Sequence, residues 1–331
     1  MADADLVLEG GGVKGAGLAG ALSAMVARSD PYTFHRVAGT SAGAIVASMI
    51  AAGVSVGELK EIMVGLDFTQ FEDEAGVFKH FKELGEGYGL IFKEGMFKGD
   101  FLHGWIQKTL ASKGVRTWGD LKQDDPGSSL PPEQQYRLVV IVSDVSRGRM
   151  LRLPWDYKPL LGTDPDKQPV ADAVRASASI PFFFRPFAMT AGPEVTGGHK
   201  AILCTDGGML SNYPIDIFDR KDNQPSRWPT IGVRLSARQP IADGKWDPDA
   251  NSLELGLSLI STMQNAQDQM HIDNPLFSSR TIFVDTTGYK ATDFHLTDDD
   301  KLKLFTNGQT AAAKFLESWD WDAWKATYAK S

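Results

Sequence analysis

Gly39-Thr40-Ser41-Ala42-Gly43 decides how the chain is read. An apolar, β-prone piece, Phe34-His35-Arg36-Val37-Ala38, precedes it. A small-residue apolar run from Ala44 to Ala52, stopped by Gly53, follows it. The order is strand, tight turn, helix. G-x-S-x-G in that setting is the nucleophile-elbow pattern: the backbone doubles back within about two residues, and a side chain at either flanking glycine would strike its neighbours. Ser41 then stands at a helix start, whose free N–H groups and dipole favour negative charge. Glycine-bracketed serines also occur in ordinary turns, so the pentapeptide needs support from elsewhere in the chain.

That support comes from the pattern of strands. Leu6-Val7-Leu8 reads as a buried strand ending at Glu9-Gly10-Gly11-Gly12, with a helix over residues 13–27 and another over Val56 to Leu66. Tyr136 to Val142 predicts a buried strand, and Met150 to Leu153 its hairpin partner across the Arg147-Gly148-Arg149 turn. Val170 to Ser177 reads as a helix. It runs into Ser179-Ile180-Pro181-Phe182-Phe183-Phe184-Arg185-Pro186-Phe187, where the prolines stop regular structure. Ala201 to Thr205 is a strand ending at Asp206-Gly207-Gly208, Thr230 to Leu235 and Arg280 to Asp285 are two more, and helices follow at about 252–270 and 299–318. Strands alternating with helices predict an α/β fold, a three-layer sandwich with a mainly parallel central sheet and helices on both faces. Neither repeats nor a linker divide the 331 residues, so residues 1–331 are expected to form a single domain.

Residues 67–118 differ in character, with Phe68, Phe71, Phe78, Phe81, Phe101 and Trp105 crowded among glycines and lysines. Two readings stand: a helical excursion packed on the sheet, or a cap over the active site that is apolar because its ligand is. Residues 122–135 read as a surface loop.

Net charge is −8. This argues against a nucleic-acid partner and against simple adsorption on anionic lipid. Peripheral membrane contact would need apolar side chains or a local basic patch. The one cysteine, Cys204, excludes an internal disulfide framework and a cysteine-based zinc cluster. There is no signal-peptide pattern at the start and no run of about 18 apolar residues, so a cytoplasmic protein without a transmembrane helix is expected.

Three glycine-bearing loops each follow a strand, and in an open α/β sheet ligands sit at the carboxyl ends of strands. Gly10, Gly11 and Gly12 offer adjacent backbone N–H groups to an oxyanion, with Lys14 as a nearby cation; losing one such donor costs about 3–4 kcal/mol of transition-state stabilisation. Gly10, Gly12 and Gly15 also fit G-x-G-x-x-G, but the expected acidic residue would be Asp30, which precedes Pro31 where no second strand ends. Ser41 is the candidate nucleophile and needs a base. Asp206 is the candidate base; its alternative is a turn aspartate capping its own loop.

Gly10-Gly11-Gly12-Val13-Lys14-Gly15, Gly39-Thr40-Ser41-Ala42-Gly43, Ala176-Ser177-Ala178-Ser179-Ile180-Pro181 and Asp206-Gly207-Gly208 stand in this order. In order and form they resemble the motif blocks of the patatin-like phospholipase family, bacterial type, over about residues 5–215. The resemblance implies a Ser41–Asp206 dyad, an oxyanion hole at the Gly10–Gly12 backbone, and hydrolysis of phospholipid or related lipid esters without metal or cofactor. Gly15, Gly39, Gly43, Gly207 and Gly208 complete its motifs. An exposed carboxylate is a feeble base, so a dyad demands burial and preset donors. The segments around 68–105 and 180–187 are the candidates for keeping the site dry.

Two rivals remain at this point. A conventional Ser-Asp-His esterase would draw its histidine from His271 or His295, which follow the acid in chain order. A lipid-binding module on an inactive scaffold would not need Ser41 to react. Elsewhere, Asp144 reads as a structural turn residue rather than a second acid near the site, Asp298-Asp299-Asp300 as a helix start rather than a calcium loop, and Trp319, Trp321 and Trp324 as packing of a terminal helix rather than a membrane contact.

Overall fold

Buried apolar strands and a few tight crossings build the sheet that carries the site. The structure, a computed structural model, describes residues 2–73, 97–222, 224–235, 262–263 and 273–328. Its strands are β1 (Ala2–Leu8), β2 (Tyr32–Thr40), β3 (Leu138–Asp144), β4 (Arg149–Leu153), β5 (Phe187–Thr190), β6 (Ala201–Asp206), β7 (Thr230–Arg234) and β8 (Thr281–Phe283). They form one sheet in the order β5-β6-β3-β2-β1-β7-β8, with β4 paired to β3. From β3 to β8 the strands run parallel; β4 and β6 are antiparallel to β3, and β5 to β6. β5 falls where Pro181 and Pro186 suggested irregular chain, because it begins just past the second proline.

The helices are α1 (Gly15–Val26), α2 (Ala42–Ala51), α3 (Val56–Gly65), α4 (Asp100–Ser112), α5 (Val170–Ser177), α6 (Pro275–Ser278), α7 (Asp298–Ser318) and α8 (Trp321–Tyr328). The helix expected at about 252–270 lies almost wholly outside the described residues. Alternate residues of the central strands are buried on opposite faces. Leu6, Leu8, Val37 and Val140 join the larger core with α1, α2, α5 and α7. Val7, Ala38 and Val139 meet Tyr213, Ile215 and Phe218. Burial on both faces explains why these strands read as unbroken apolar runs. Helices lie around a mixed, mostly parallel central sheet, as the sequence predicts.

Several local expectations are met in detail. Asp144 accepts from the Ser146 and Arg147 N–H groups and from Arg147 Nε at 2.5 Å, a turn role. Asp300 and Thr297 form a capping box at the start of α7. Trp319 stacks on Phe315, and Trp324 donates to Ser279 Oγ at 2.8 Å, so these two tryptophans pack on the protein.

One feature of β3 places the site. Along one edge β3 pairs with β4. Along the other it pairs first with β2, ending at Thr40↔Ile141, and then with β6, starting at Asp206↔Val142. β2 and β6 therefore share an edge and meet end to end. The residue after Thr40 is Ser41, and it arrives beside Asp206. The Asp206 loop reaches the mouth of the parallel strands from the opposite direction, because its strand is antiparallel.

Candidate active site

Ser41 occupies the turn between β2 and α2 with φ 53° and ψ −123°. A non-glycine residue held there stores about 1–3 kcal/mol of strain and persists only where its surroundings fix it. The surroundings are close. A Cβ at Gly39 would lie 2.3 Å from Gly43 O, so only glycine lets the turn close on itself. The Ser41 N–H donates to Ser177 Oγ at 2.8 Å.

The Ser41 hydroxyl donates to Asp206 Oδ2 at 2.6 Å, and the Gly208 N–H donates to Asp206 Oδ1 at 2.7 Å. Both side chains are buried, at 4% and 3% exposure. Burial pushes the Asp206 carboxyl up from its ordinary 3.8 to about 6, against the pull of the Ser41 and Gly208 hydrogen bonds. A carboxylate of that basicity is matched to neutral pH far better than an exposed one. Gly207 follows under Ile141, where a Cβ would stand 2.2 Å from the carbonyl oxygen. Gly15 packs against Met63.

The glycine loop differs from expectation at two positions. The Gly10 N–H donates to Asn212 O at 3.2 Å, so it is not a free oxyanion donor. Gly11 and Gly12 keep N–H groups without an acceptor among the described residues. Lys14 turns its ammonium to Leu235 O at 3.4 Å and Thr286 Oγ1 at 3.3 Å rather than to Ser41. There it lies beside the buried Glu9–Arg234 ion pair. Burial lowers its pKa, with Glu9 opposing and Arg234 adding to the shift. Its position makes it a brace of the loop. A lysine after a glycine run offers no sequence signal that separates those two roles.

The histidine rivals fare as follows. His295 is 73% exposed with Nε2 3.8 Å from Glu72, and His271 lies outside the described residues. Among the described residues, neither Ser41 nor Asp206 has a histidine partner. No group of three His, Cys, Asp or Glu side chains among them is disposed to hold a metal ion.

An apolar pocket opens beside Ser41. Gly12, Val13, Ser41 and Ala42 line it together with Ile180, Phe184 and Phe294. Phe68, Phe71, Leu102 and Trp105 contribute from the described part of 67–118. Phe294 escapes sequence reading, being a lone aromatic in the polar stretch Thr292-Asp293-Phe294-His295. It stacks on Phe183 at 4.4 Å with 9° between ring planes. Residues 74–96, including Phe78 and Phe81, lie outside the described residues. No helix among the described residues is long and apolar enough to cross a membrane.

The chain resembles known proteins over most of its length. An uncharacterised protein of Bacillus subtilis, YqhO, is 37% identical over 315 residues, covering 95% of this chain and 98% of its own. An uncharacterised protein of Acanthamoeba polyphaga mimivirus is 26% identical over 242 residues, covering 72% and 68%. The crystal structure of VipD from Legionella pneumophila shares the fold, with a TM-score of 0.52 and 18% identity over 95% of this chain and 67% of that one. The profile of the patatin-like phospholipases matches residues 6–219, from the first strand through the Asp206 loop, and the chain belongs to that family.

Proposed function

We propose that the chain is a serine acyl hydrolase that cleaves phospholipid or related lipid esters through a Ser41–Asp206 dyad. Asp206 takes the proton as Ser41 Oγ attacks the ester carbonyl. The Gly11 and Gly12 amides hold the developing oxyanion. The C–O bond to the alcohol or lysolipid breaks, and Asp206 returns its proton to that oxygen. A water then gives Asp206 a proton and attacks the acyl-serine; the bond from the acyl carbon to Ser41 Oγ breaks, Asp206 passes its proton to that oxygen, and the fatty acid leaves. The observation that carries this reading is the 2.6 Å contact between a buried carboxylate and a strained, buried serine that lines an apolar pocket. The described part of residues 67–118 then serves as a cap, its aromatic rings keeping water from the dyad and receiving an acyl chain. The whole chain acts as one domain.

A fluorophosphonate probe tests the proposal. Labelling at Ser41 is expected in the intact protein and none in Ser41→Ala. A panel of phospholipids and lysolipids, followed by mass spectrometry with Ser41→Ala as blank, is expected to show release of free fatty acid. An unlabelled Ser41 in folded protein would refute the chemistry and leave a lipid-binding module.

The base also fixes a pH dependence. Asp206 must be ionised to accept a proton, and its carboxyl sits at about 6. kcat/KM is therefore expected to rise as pH climbs through about 6 and to level off above it. A limb near 4 would mean that burial does not tune this carboxylate.

A further inference from the structure

The dyad leaves Ala176-Ser177-Ala178-Ser179 without a chemical task. We infer that Ser177 and Ser179, anchored by Arg175, form a clamp that sets the separation of Ser41 from Asp206; the inference rests on the dyad reading above. β2 and β6 meet end to end along β3, so no ladder hydrogen bond joins their ends. β3 sets the register of the two ends, and the segment leaving α5 adds a second tie that reaches both sides.

On the nucleophile side, Ser177 Oγ donates to Ile141 O at 2.6 Å and accepts the Ser41 N–H at 2.8 Å. It thus ties the strained turn to β3. On the acid side, the Asp206 N–H donates to Ser179 O at 2.9 Å. Ser179 is itself held: its hydroxyl donates to Arg175 O at 2.9 Å and accepts from Arg175 Nη1 at 2.5 Å. The buried Arg175 guanidinium spends its other donors on Gly99 O at 2.9 Å, Lys98 O at 2.7 Å and Arg185 O at 3.3 Å. It also lies 5.1 Å from the ring centroid of Phe184, in the pocket wall. Arg175 therefore links the chain entering α4, the pocket wall and the acid half of the dyad. None of the three side chains reaches the reacting atoms; all are positioning residues.

Two variants and two readouts test the clamp. In Ser177→Ala the crystallographic Ser41 Oγ–Asp206 Oδ2 separation, 2.6 Å here, is expected to open beyond about 3.5 Å, where a hydrogen bond is lost. Fluorophosphonate labelling at Ser41 is expected to slow by about ten- to a hundredfold, the scale of a misplacement of about 1 Å. KM for a short-chain ester is expected to stay unchanged, since the pocket walls are untouched. Arg175→Lys keeps the charge but cannot serve four oxygens in the same fork, and slower labelling at unchanged KM is expected again. A general loss of packing would instead raise KM along with the loss in rate. The clamp is refuted if Ser177→Ala keeps the short contact or if both variants label at the parent rate. Should the parent protein itself resist the probe, the dyad chemistry fails, and the measured separation in Ser177→Ala still decides the clamp.

Discussion

Asp206→Asn is expected to lower lipid-ester turnover by about 10²–10⁴-fold, the usual contribution of a positioned general base, while making the folded protein more stable above pH 6. The two effects share one cause. Burial raises the carboxyl from 3.8 to about 6, so the fold favours the neutral acid. That preference is fully present below about pH 3.8 and is lost as pH rises through about 6. Above it, the buried anion costs about 3 kcal/mol, taking 1.36 kcal/mol per pH unit between the two values. Asparagine carries no charge at any of these pH values. It keeps an acceptor for the Gly208 N–H and turns a donor toward Ser41 Oγ, so the serine is no longer deprotonated. Urea unfolding midpoints compared at pH 8 and pH 3.5 check the claim. The variant should gain at pH 8 and match the parent at pH 3.5. Retained turnover would show that this carboxylate is not the base, and equal stability at pH 8 that it is not a costly buried charge.

In the proposed dyad, burial lets two side chains suffice where a triad is common. A histidine brings a base of the right strength by its own chemistry. An aspartate must be brought there by its environment. Burial leaves Asp206 poorly solvated, and that raises its basicity against the pull of the Ser41 and Gly208 hydrogen bonds. In the proposed mechanism the aromatic walls would therefore act on the proton transfer as well as on the acyl chain. Dryness also strengthens whatever the Gly11 and Gly12 amides offer an oxyanion, since a low dielectric leaves their dipoles unscreened.

Much of this was legible in the residues. The glycine-flanked serine between an apolar strand and a small-residue helix gives the elbow. The strand-end position of each glycine loop leads to a common mouth. What sequence could not supply was direction and destination. Nothing in Ala201 to Asp206 tells that the strand runs against its neighbours, yet that reversal brings Asp206 to Ser41 head-on. Nothing in Gly10 tells that its amide turns to Asn212, because the acceptor comes from a turn about 200 residues away. Lys14 likewise meets Leu235 and Thr286, partners that only the fold assembles. Phe294 joins the pocket from a polar loop, where periodicity carries no signal.

Gly43→Ala should be among the most damaging methyls that can be added near the site. A Cβ at Gly43 would lie 2.2 Å from Leu8 O and 2.6 Å from Glu9 O. Both contacts are backbone, so no side chain can swing away. Either α2 retreats and carries Ser41 with it, or the end of β1 yields and moves the Gly10–Gly12 loop. Each movement separates the hydroxyl from the amides meant to receive the oxyanion. A loss of about 1–3 kcal/mol in stability, typical of overpacking, is expected, together with labelling at Ser41 slowed by about a hundredfold. Gly57→Ala is the matching control. It sits on the exposed side of α3 with nothing within 4 Å of the added Cβ. There alanine should gain about 0.5–1 kcal/mol from helix propensity and leave labelling unchanged. Unfolding midpoints and labelling rates of the two variants, measured side by side, separate the cost of crowding the turn from the general effect of replacing a helical glycine. If Gly43→Ala reacts with the probe as fast as the parent, the close approach of α2 to β1 is not what aligns the serine with its amides, and the oxyanion assignment to Gly11 and Gly12 falls with it.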